Sequence, residues 1–465
     1  MFTKPKGMIH FCCTLALLLG AGSRAVPATG DRSSLTDRTE AERRVRALER
    51  QLAELQEQLK AQTGRNQELE RRIALLAEQI TDLEAGDLEP EAEMKGEGGR
   101  GLGPAASKVY SLRQGVSLGG YGEMLYENFR SSDESGAPVS RTDQLDFLRL
   151  ILYAGYKFND RIVFNSEIEF EHASTGAKGE AAVEFAYLDF LLKESLNIRA
   201  GMVLMPIGFV NELHEPPVFL GARRPYLEKS LIPTTWRENG AGVYGEQGPF
   251  SWRAYVTTAL SSVGGVSGDA SGFRAGGIRG GRSDGSKSAA EDLALSGRLD
   301  WSPAPGLLLG GSFYTGDSGQ GAVAPGGETI GGRTTLVDVH GEYRRNGWRV
   351  RGLWVDTDVD DVDAINRFQG LTGDQSVGSS QGGWYGEVGY EVGSFIPYAR
   401  YESFGTQKSV PAGYSRNPAM ERTVTTIGVA WKPIPQVVVK ADWNDLSNEA
   451  GTGVDQFNLA LGFLF

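Results

Sequence analysis

The carboxy-terminal segment Val454–Phe465 reads VDQFNLALGFLF. Phe457, Leu459, Leu461, Phe463 and Phe465 share one parity, and Gln456, Asn458, Ala460, Gly462 and Leu464 share the other. A period of two with one wholly apolar face describes a strand with hydrocarbon on one side and a wetter or tighter space on the other. An edge strand this apolar would pair with other chains in water, so it must be covered or embedded. A closed sheet in a membrane meets both demands, because it has no edge and its backbone groups are paired internally.

A final strand ending in Phe resembles the closing strand of bacterial outer-membrane β-barrel proteins. Composition agrees with such a barrel: the chain has 465 residues, is 40% hydrophobic and contains 63 Gly. Lipid-facing residues alternate with polar luminal ones, so the mean hydropathy of -0.29 looks like that of a soluble protein. Beyond the first few dozen residues no apolar run approaches the ~20 residues a membrane helix needs. The formal charge of -12 argues against a nucleic-acid partner.

The amino terminus has the layout of a secretion signal over 1–25. Lys4 and Lys6 precede the apolar Ile9–Ala21, and Ser23-Arg24-Ala25 suits cleavage after Ala25. Both cysteines, Cys12 and Cys13, fall inside it, so no disulfide framework is expected in the mature chain. After a flexible 26–40, residues 41–84 carry a heptad pattern. Val45, Leu48, Leu52, Leu55 and Leu59 alternate spacings of three and four, and the register runs through Gln62 and Asn66 to Leu69, Ile73, Leu76, Ile80 and Leu83. The reading is a periplasmic coiled coil of about six heptads, ~60 Å long at about 1.5 Å per residue, able to reach toward peptidoglycan. Its β-branched and Leu pattern leans toward two strands. Residues 85–108, with Pro90, Pro104, several Gly and acidic Glu89, Glu91 and Glu93, read as a linker with neither helix nor strand.

From 109 to 465 the chain reads as an all-β transmembrane barrel of about sixteen antiparallel strands, an even number as such barrels require. Leu148, Leu150, Leu152, Ala154, Tyr156 and Phe158 form one apolar parity, and Ile162, Phe164, Ile168 and Phe170 oppose Asn165, Glu167, Glu169 and Glu171. Tight connections such as Asn159-Asp160 and Asn346-Gly347 alternate with long ones. Tyr156, Phe158, Trp301, Trp431 and Trp443 fit interfacial girdles. Pro397, inside a strand pattern, calls for a bulge.

The segment Pro206–Asn239, PIGFVNELHEPPVFLGARRPYLEKSLIPTTWREN, follows the fifth strand and is too long for a hairpin. With DFLRLILYAGYKF, the acidic third strand ending EFEHA, RAGMVLMPIGFVNELHEPP and RRPYLEKSLIPTTWRENGAGVYGE, it resembles the phosphate-selective porin O/P family over roughly residues 115–260. The resemblance implies that this loop folds inward and narrows the channel, and that the barrel assembles as a homotrimer. It makes Arg223, Arg224, Lys229 and Arg237 candidate constriction residues, with Glu212, Glu215, Glu228 and Glu238 among them. Opposed charges of this kind set a transverse field across a pore. Arg149, Arg199, Arg253 and Arg298, facing Glu167 and Glu169, are the pore-wall candidates.

Enzyme signals are poor. The mature histidines are His172, His214 and His340, and HExxH does not occur. Asp356, Asp358, Asp360, Asp361 and Asp363 read as an acidic loop rather than a Ca²⁺ site. Gly264–Gly285, with Arg274, Arg279 and Arg282, reads as a mobile loop rather than a phosphate cradle. No cofactor or metal is expected. The resulting expectation is a non-enzymatic outer-membrane porin passing small hydrophilic solutes, anions such as phosphate among them, with membrane lipid around it. The alternative is a structural or adhesive envelope protein, anchored by its barrel and tethered by its coiled coil.

Overall fold

A computed structural model describes residues 46, 48–66, 100–173 and 179–465. The expected signal segment, most of the expected coiled coil and most of the expected linker lie outside these residues. The chain divides into two units, 1–87 and 88–465. In the first, residues 48–66 form a helix, α1. Its stripe of Leu48, Leu52, Leu55 and Leu59 is 58–68% exposed among the described residues.

The second unit opens with a helix, α2 (Pro104–Ser111), followed by sixteen strands. They are β1 (Gly115–Phe129), β2 (Gln144–Asn159), β3 (Ile162–Glu171), β4 (Ala181–Lys193), β5 (Leu196–Leu204), β6 (Arg237–Gln247), β7 (Phe250–Thr258) and β8 (Leu293–Ala304). After them come β9 (Leu307–Gly316), β10 (Thr334–Arg345), β11 (Trp348–Val359), β12 (Ser380–Tyr390), β13 (Phe395–Ser409), β14 (Glu421–Ile434), β15 (Val437–Asn448) and β16 (Gln456–Leu464). Each strand pairs antiparallel with its sequence neighbours, and β1 pairs with β16 to close the barrel. At the seam Phe465 N–H donates to Gly120 O at 2.9 Å and Gly120 N–H to Phe465 O at 3.0 Å.

The parity of the last strand is as its sequence demands: Gln456, Asn458, Ala460, Gly462 and Leu464 are buried, while Phe457, Leu459, Leu461 and Phe463 face outward. On other strands Leu299, Val339 and Ile427 are more than half exposed on the same outer face. Cross-strand aromatic pairs ring the barrel near its tight turns: Phe250 with Trp301, Trp348 with Tyr390 and Phe395 with Trp431, at centroid distances of 6.4, 5.0 and 5.9 Å. The β10–β11 turn shows why its residues were chosen. Arg345 pairs with Trp348, and the two central residues have φ of 54° at Asn346 and 80° at Gly347. That is the left-handed pair a two-residue hairpin needs, and Asn-Gly adopts it most cheaply.

Two expectations are corrected here. Pro397 produces no bulge, since its pairing with Val429 lies in an unbroken β13–β14 register. The β12 ladder begins only at Tyr398, so the missing N–H falls where that side is still unpaired. The end of the expected linker is also structured, because Pro104–Ser111 is helical and Leu102, Ala105, Ala106 and Val109 are buried. Pro104 at the first helical position is compatible with a start there, where its missing N–H is not needed.

No helix among the described residues is long and apolar enough to cross a membrane. The outer belt is instead suited to hydrocarbon. Val339→Arg on mid-strand β10 is expected to destabilise the refolded barrel in phospholipid vesicles by about 2–4 kcal/mol, measured by urea unfolding against wild type.

Candidate functional site in the barrel lumen

The 205–236 segment between β5 and β6 lies inside the barrel. Asn211 stitches its two ends: its side-chain nitrogen donates to Met205 O at 2.7 Å and Trp236 O at 2.9 Å, and its carbonyl oxygen accepts from Trp236 N–H at 2.6 Å. The loop then crosses to the far wall. Gly208 N–H donates to Asp338 on β10 at 3.1 Å, Leu227 N–H to Glu402 on β13 at 2.8 Å, and Ala222 N–H to Asp442 on β15 at 2.6 Å. A short helix, α3 (Tyr226–Leu231), carries Glu228. The Glu228 carboxylate accepts from Phe209 N–H, Val210 N–H and the Tyr385 hydroxyl at 2.9, 2.8 and 2.7 Å. Burial raises its pKa, and these hydrogen bonds oppose the rise. Met205, Ile207, Phe209, Leu227, Leu231 and Trp236 form an apolar core within the lumen, which holds the loop away from a free-swinging conformation.

Three of the four basic candidates behave differently from the fourth. Arg223, Arg224 and Lys229 are partly or fully exposed to the lumen. Arg223 pairs with Glu127 on β1, and the buried Nη2 of Arg224 has no hydrogen-bond partner. Enclosure in the barrel mouth, then the charges of Arg223, Arg279, Arg149 and Arg224, lower the Lys229 amine to about 8. Arg237 is instead the first residue of β6, buried and paired with Glu184 at 3.4 Å and Asp284 at 3.7 Å. Glu238 and Asn239 also belong to that strand rather than to the loop.

The connection between β7 and β8 adds two cations that the sequence reading did not place here. It is not loosely attached: Phe273 and Ile278 are buried in the same core as the 205–236 loop. Arg279 donates to Thr234 O, and Arg282 to Thr235 O at 2.9 Å and Pro233 O at 3.2 Å. Glycines and three arginines in a long connection were the available signal. Only the packing shows that two of them join Lys229.

Glu238 stays beside the cluster, accepting from the Ser283 hydroxyl at 2.6 Å, whereas Glu212 and Glu215 leave it. Glu212 lies within a buried ion network, 3.3 Å from Arg253 and 4.0 Å from Arg298, with Asp300 2.8 Å from Arg298. Burial raises the Glu212 pKa, and the charges of Arg253, Arg298 and Arg199 oppose the rise. Glu215 caps α2, accepting from Ala105 N–H at 3.1 Å and Ala106 N–H at 3.2 Å through Oε1. Among the wall candidates, Arg149 lies 3.3 Å from both Glu123 and Glu169. Arg199 is held by Asp189 at 2.8 Å and stacks on Tyr187 at 4.0 Å. Glu167 contacts His214 at 3.1 Å. Asp363 of the acidic loop pairs with Arg367 and Asp356 with Lys408, so these acids do not converge on one point.

Helix α2 narrows the lumen from the tight-turn end. Asn165 on β3 donates to Ala106 O at 2.9 Å, and the Tyr110 hydroxyl donates to Asp189 on β4 at 2.6 Å. Gly155 on β2 admits it, since a Cβ there would lie 2.7 Å from Val109 Cγ2.

No protein-family model matches the chain. An uncharacterized protein of Aquifex aeolicus is 37% identical over 359 residues, covering 74% of this chain and 78% of that protein. The chain belongs to the family of that protein. Among solved structures, OmpF of Salmonella typhi in complex with daunomycin superposes with a TM-score of 0.50 and 11% identity, over 76% of this chain and 98% of that one. This likeness shows a porin-like fold. The outer membrane channel DcaP of Acinetobacter baumannii matches at 0.49 and 12% identity, over 75% and 97% of the two chains. OmpT of Vibrio cholerae, in its trimer form, matches at 0.47 and 12%, over 76% and 100%.

Because Glu215 satisfies two N-terminal amides of α2, Glu215→Ala is expected to cost about 1–2 kcal/mol of helix docking. Amide hydrogen exchange at Ala105 and Ala106 should accelerate by an order of magnitude or more, while β-strand amides remain protected.

Proposed function

We propose that this protein is an outer-membrane channel, not an enzyme, passing small hydrophilic anions through its barrel by diffusion. The reading is carried by one observation: Arg223, Arg224 and Lys229 of the inward loop are assembled with Arg279 and Arg282 of the next long loop. Several cations held on a water-facing surface inside an apolar-walled barrel raise the local concentration of anions. Glu212 and Glu215 are neutralised or capped elsewhere; Glu127 beside Arg223 and Asp284 beside Arg282 offset part of the field and leave a net positive cluster. Phosphate, which the resemblance to the phosphate-selective porin O/P family brings forward, is the specific anion proposed. Arg forks and a Lys point charge are the groups that bind its oxygens best.

Planar-bilayer recordings of the purified, folded protein test the reading. Stepwise conductance with a reversal potential favouring anions in a salt gradient is expected, and a folded barrel without such steps would overturn it. A unit charge ~4 Å from an ion is worth about 1 kcal/mol in water, roughly fivefold in permeability ratio. Lys229→Glu should therefore lower anion over cation preference by about that factor or more. The amine is charged below its pKa and neutral above it. Anion preference should accordingly fall as pH rises through about 8, with little further change in the Lys229→Glu channel.

The exposed leucine stripe of α1 favours a second role beside permeation. We propose that it pairs with copies of itself as a coiled coil in the periplasm, within a homotrimer, and tethers the channel toward peptidoglycan. Replacing Leu52, Leu55, Ile73 and Leu76 by polar residues should weaken assembly, seen by sedimentation, and leave single-channel conductance unchanged. If deletion of the gene loosens the envelope without altering solute permeability, the anchor role is the primary one.

A further inference from the structure

Behind the basic cluster, at the junction of the loop and the wall, three ligating side chains converge. Glu167 on β3, Glu184 on β4 and His214 on the loop offer one oxygen or nitrogen each, all within 4.8 Å of one another, and all three residues are buried. The tautomer of His214 is set by its other nitrogen. Nδ1 lies 3.1 Å from Asn211 O, an atom that only accepts, so Nδ1 carries a hydrogen and donates it. Nε2 is left pointing at two carboxylates, 3.1 Å from Glu167 Oε1 and 3.5 Å from Glu184 Oε2.

We propose that these three residues form a binding site for a divalent transition-metal ion of the zinc class, joining the inward loop to the barrel wall. Two observations carry it beyond a mere grouping of acids. The first is unmet polarity: Glu167 Oε2 and Glu184 Oε2 are buried without a hydrogen-bond partner. A hydrogen on Nε2, directed at Glu167 Oε1, reaches neither oxygen, whereas a cation among the three groups would meet Glu184 Oε2 directly and balance the charge of the Glu167 carboxylate. Of the neighbouring guanidinium groups, Arg149 is engaged by Glu123 and Glu169, and Arg237 by Asp284 as well as by the far oxygen of Glu184, while Arg224 lends its charge to Glu167 and has a buried Nη2 without a hydrogen-bond partner. Among the described residues Glu167 has His214 as its one ion-pair partner.

The second is dimension. Zinc bonds to imidazole nitrogen and carboxylate oxygen are about 2.0–2.2 Å, so neighbouring ligand atoms of a tetrahedron lie roughly 3.3–3.6 Å apart. Of the Nε2 to oxygen separations, 3.5 Å falls within that edge and 3.1 Å lies just below it. The supports resemble those of metal sites: a backbone carbonyl orients the imidazole, and the Thr235 hydroxyl donates to Glu184 Oε1. Three protein ligands leave a fourth position for water.

Full-length protein in detergent, stripped with chelator and dialysed, should bind one Co²⁺ per chain. The ion should show the intense visible absorption of a tetrahedral site and be displaced by Zn²⁺. His214→Ala and Glu167→Gln should each weaken Co²⁺ binding at least tenfold, with barrel folding checked by circular dichroism. Asp363→Asn, on an exposed acid far from the cluster in sequence, should leave binding unchanged. Amides of residues 211–215 should exchange more slowly with Zn²⁺ present. Absence of stoichiometric Co²⁺ in the wild type, or binding that persists in both ligand variants, would overturn the proposal. The first outcome would make the group a hydrogen-bonded cluster without an ion, and the second would make the ion adventitious. Neither depends on whether the barrel conducts anions.

Discussion

The pairing of β16 with β1 is the contact on which everything else rests. A sheet whose outer face is Leu, Val, Phe and Trp cannot end in a free edge, in water or in hydrocarbon, because unpaired amides and carbonyls would be left without partners. Closure removes both edges at once. It also creates an interior separated from the apolar exterior by the thickness of one sheet. From that point the polar half of every strand must find its partners inside.

The interior answers that demand with charge pairs rather than with water alone. Burying a lone carboxylate or guanidinium is costly, while a paired and hydrogen-bonded one is tolerated. Hence Arg199 sits on Asp189, Arg298 on Asp300, and Arg400 between Glu387 and Glu402. The inward loop takes part in the same economy, supplying amides to Asp338, Glu402 and Asp442. Loop and wall are therefore one hydrogen-bonded body.

Helix α2 and the inward loop both lie within the barrel, and Glu215 joins them. The loop residue that looked like part of a constriction is a helix cap. Its charge is spent on two amide hydrogens and on the partial positive end of a short helix. Helix position thus depends on loop position, which gives the narrow passage two coupled walls rather than one.

Strand number, outward parity and the inward-going loop after β5 were all legible in the sequence. A two-residue period survives whatever the barrel encloses, because lipid-facing side chains interact with solvent rather than with chosen partners. The identity of each luminal contact was not legible. Arg237 and Arg223 look alike in sequence, yet one is buried against Glu184 and the other faces the lumen beside Glu127. Arg279 and Lys229 are fifty residues apart and share a site because two loops enter the same mouth. Pro104–Ser111 carries little helical signal of its own and is held as a helix by Glu215, Asn165 and Asp189. The sequence by itself determined a closed amphipathic sheet, since that pattern is local and periodic. Only the tertiary structure decided which charges pair and which face the lumen, since that depends on distances between segments remote along the chain.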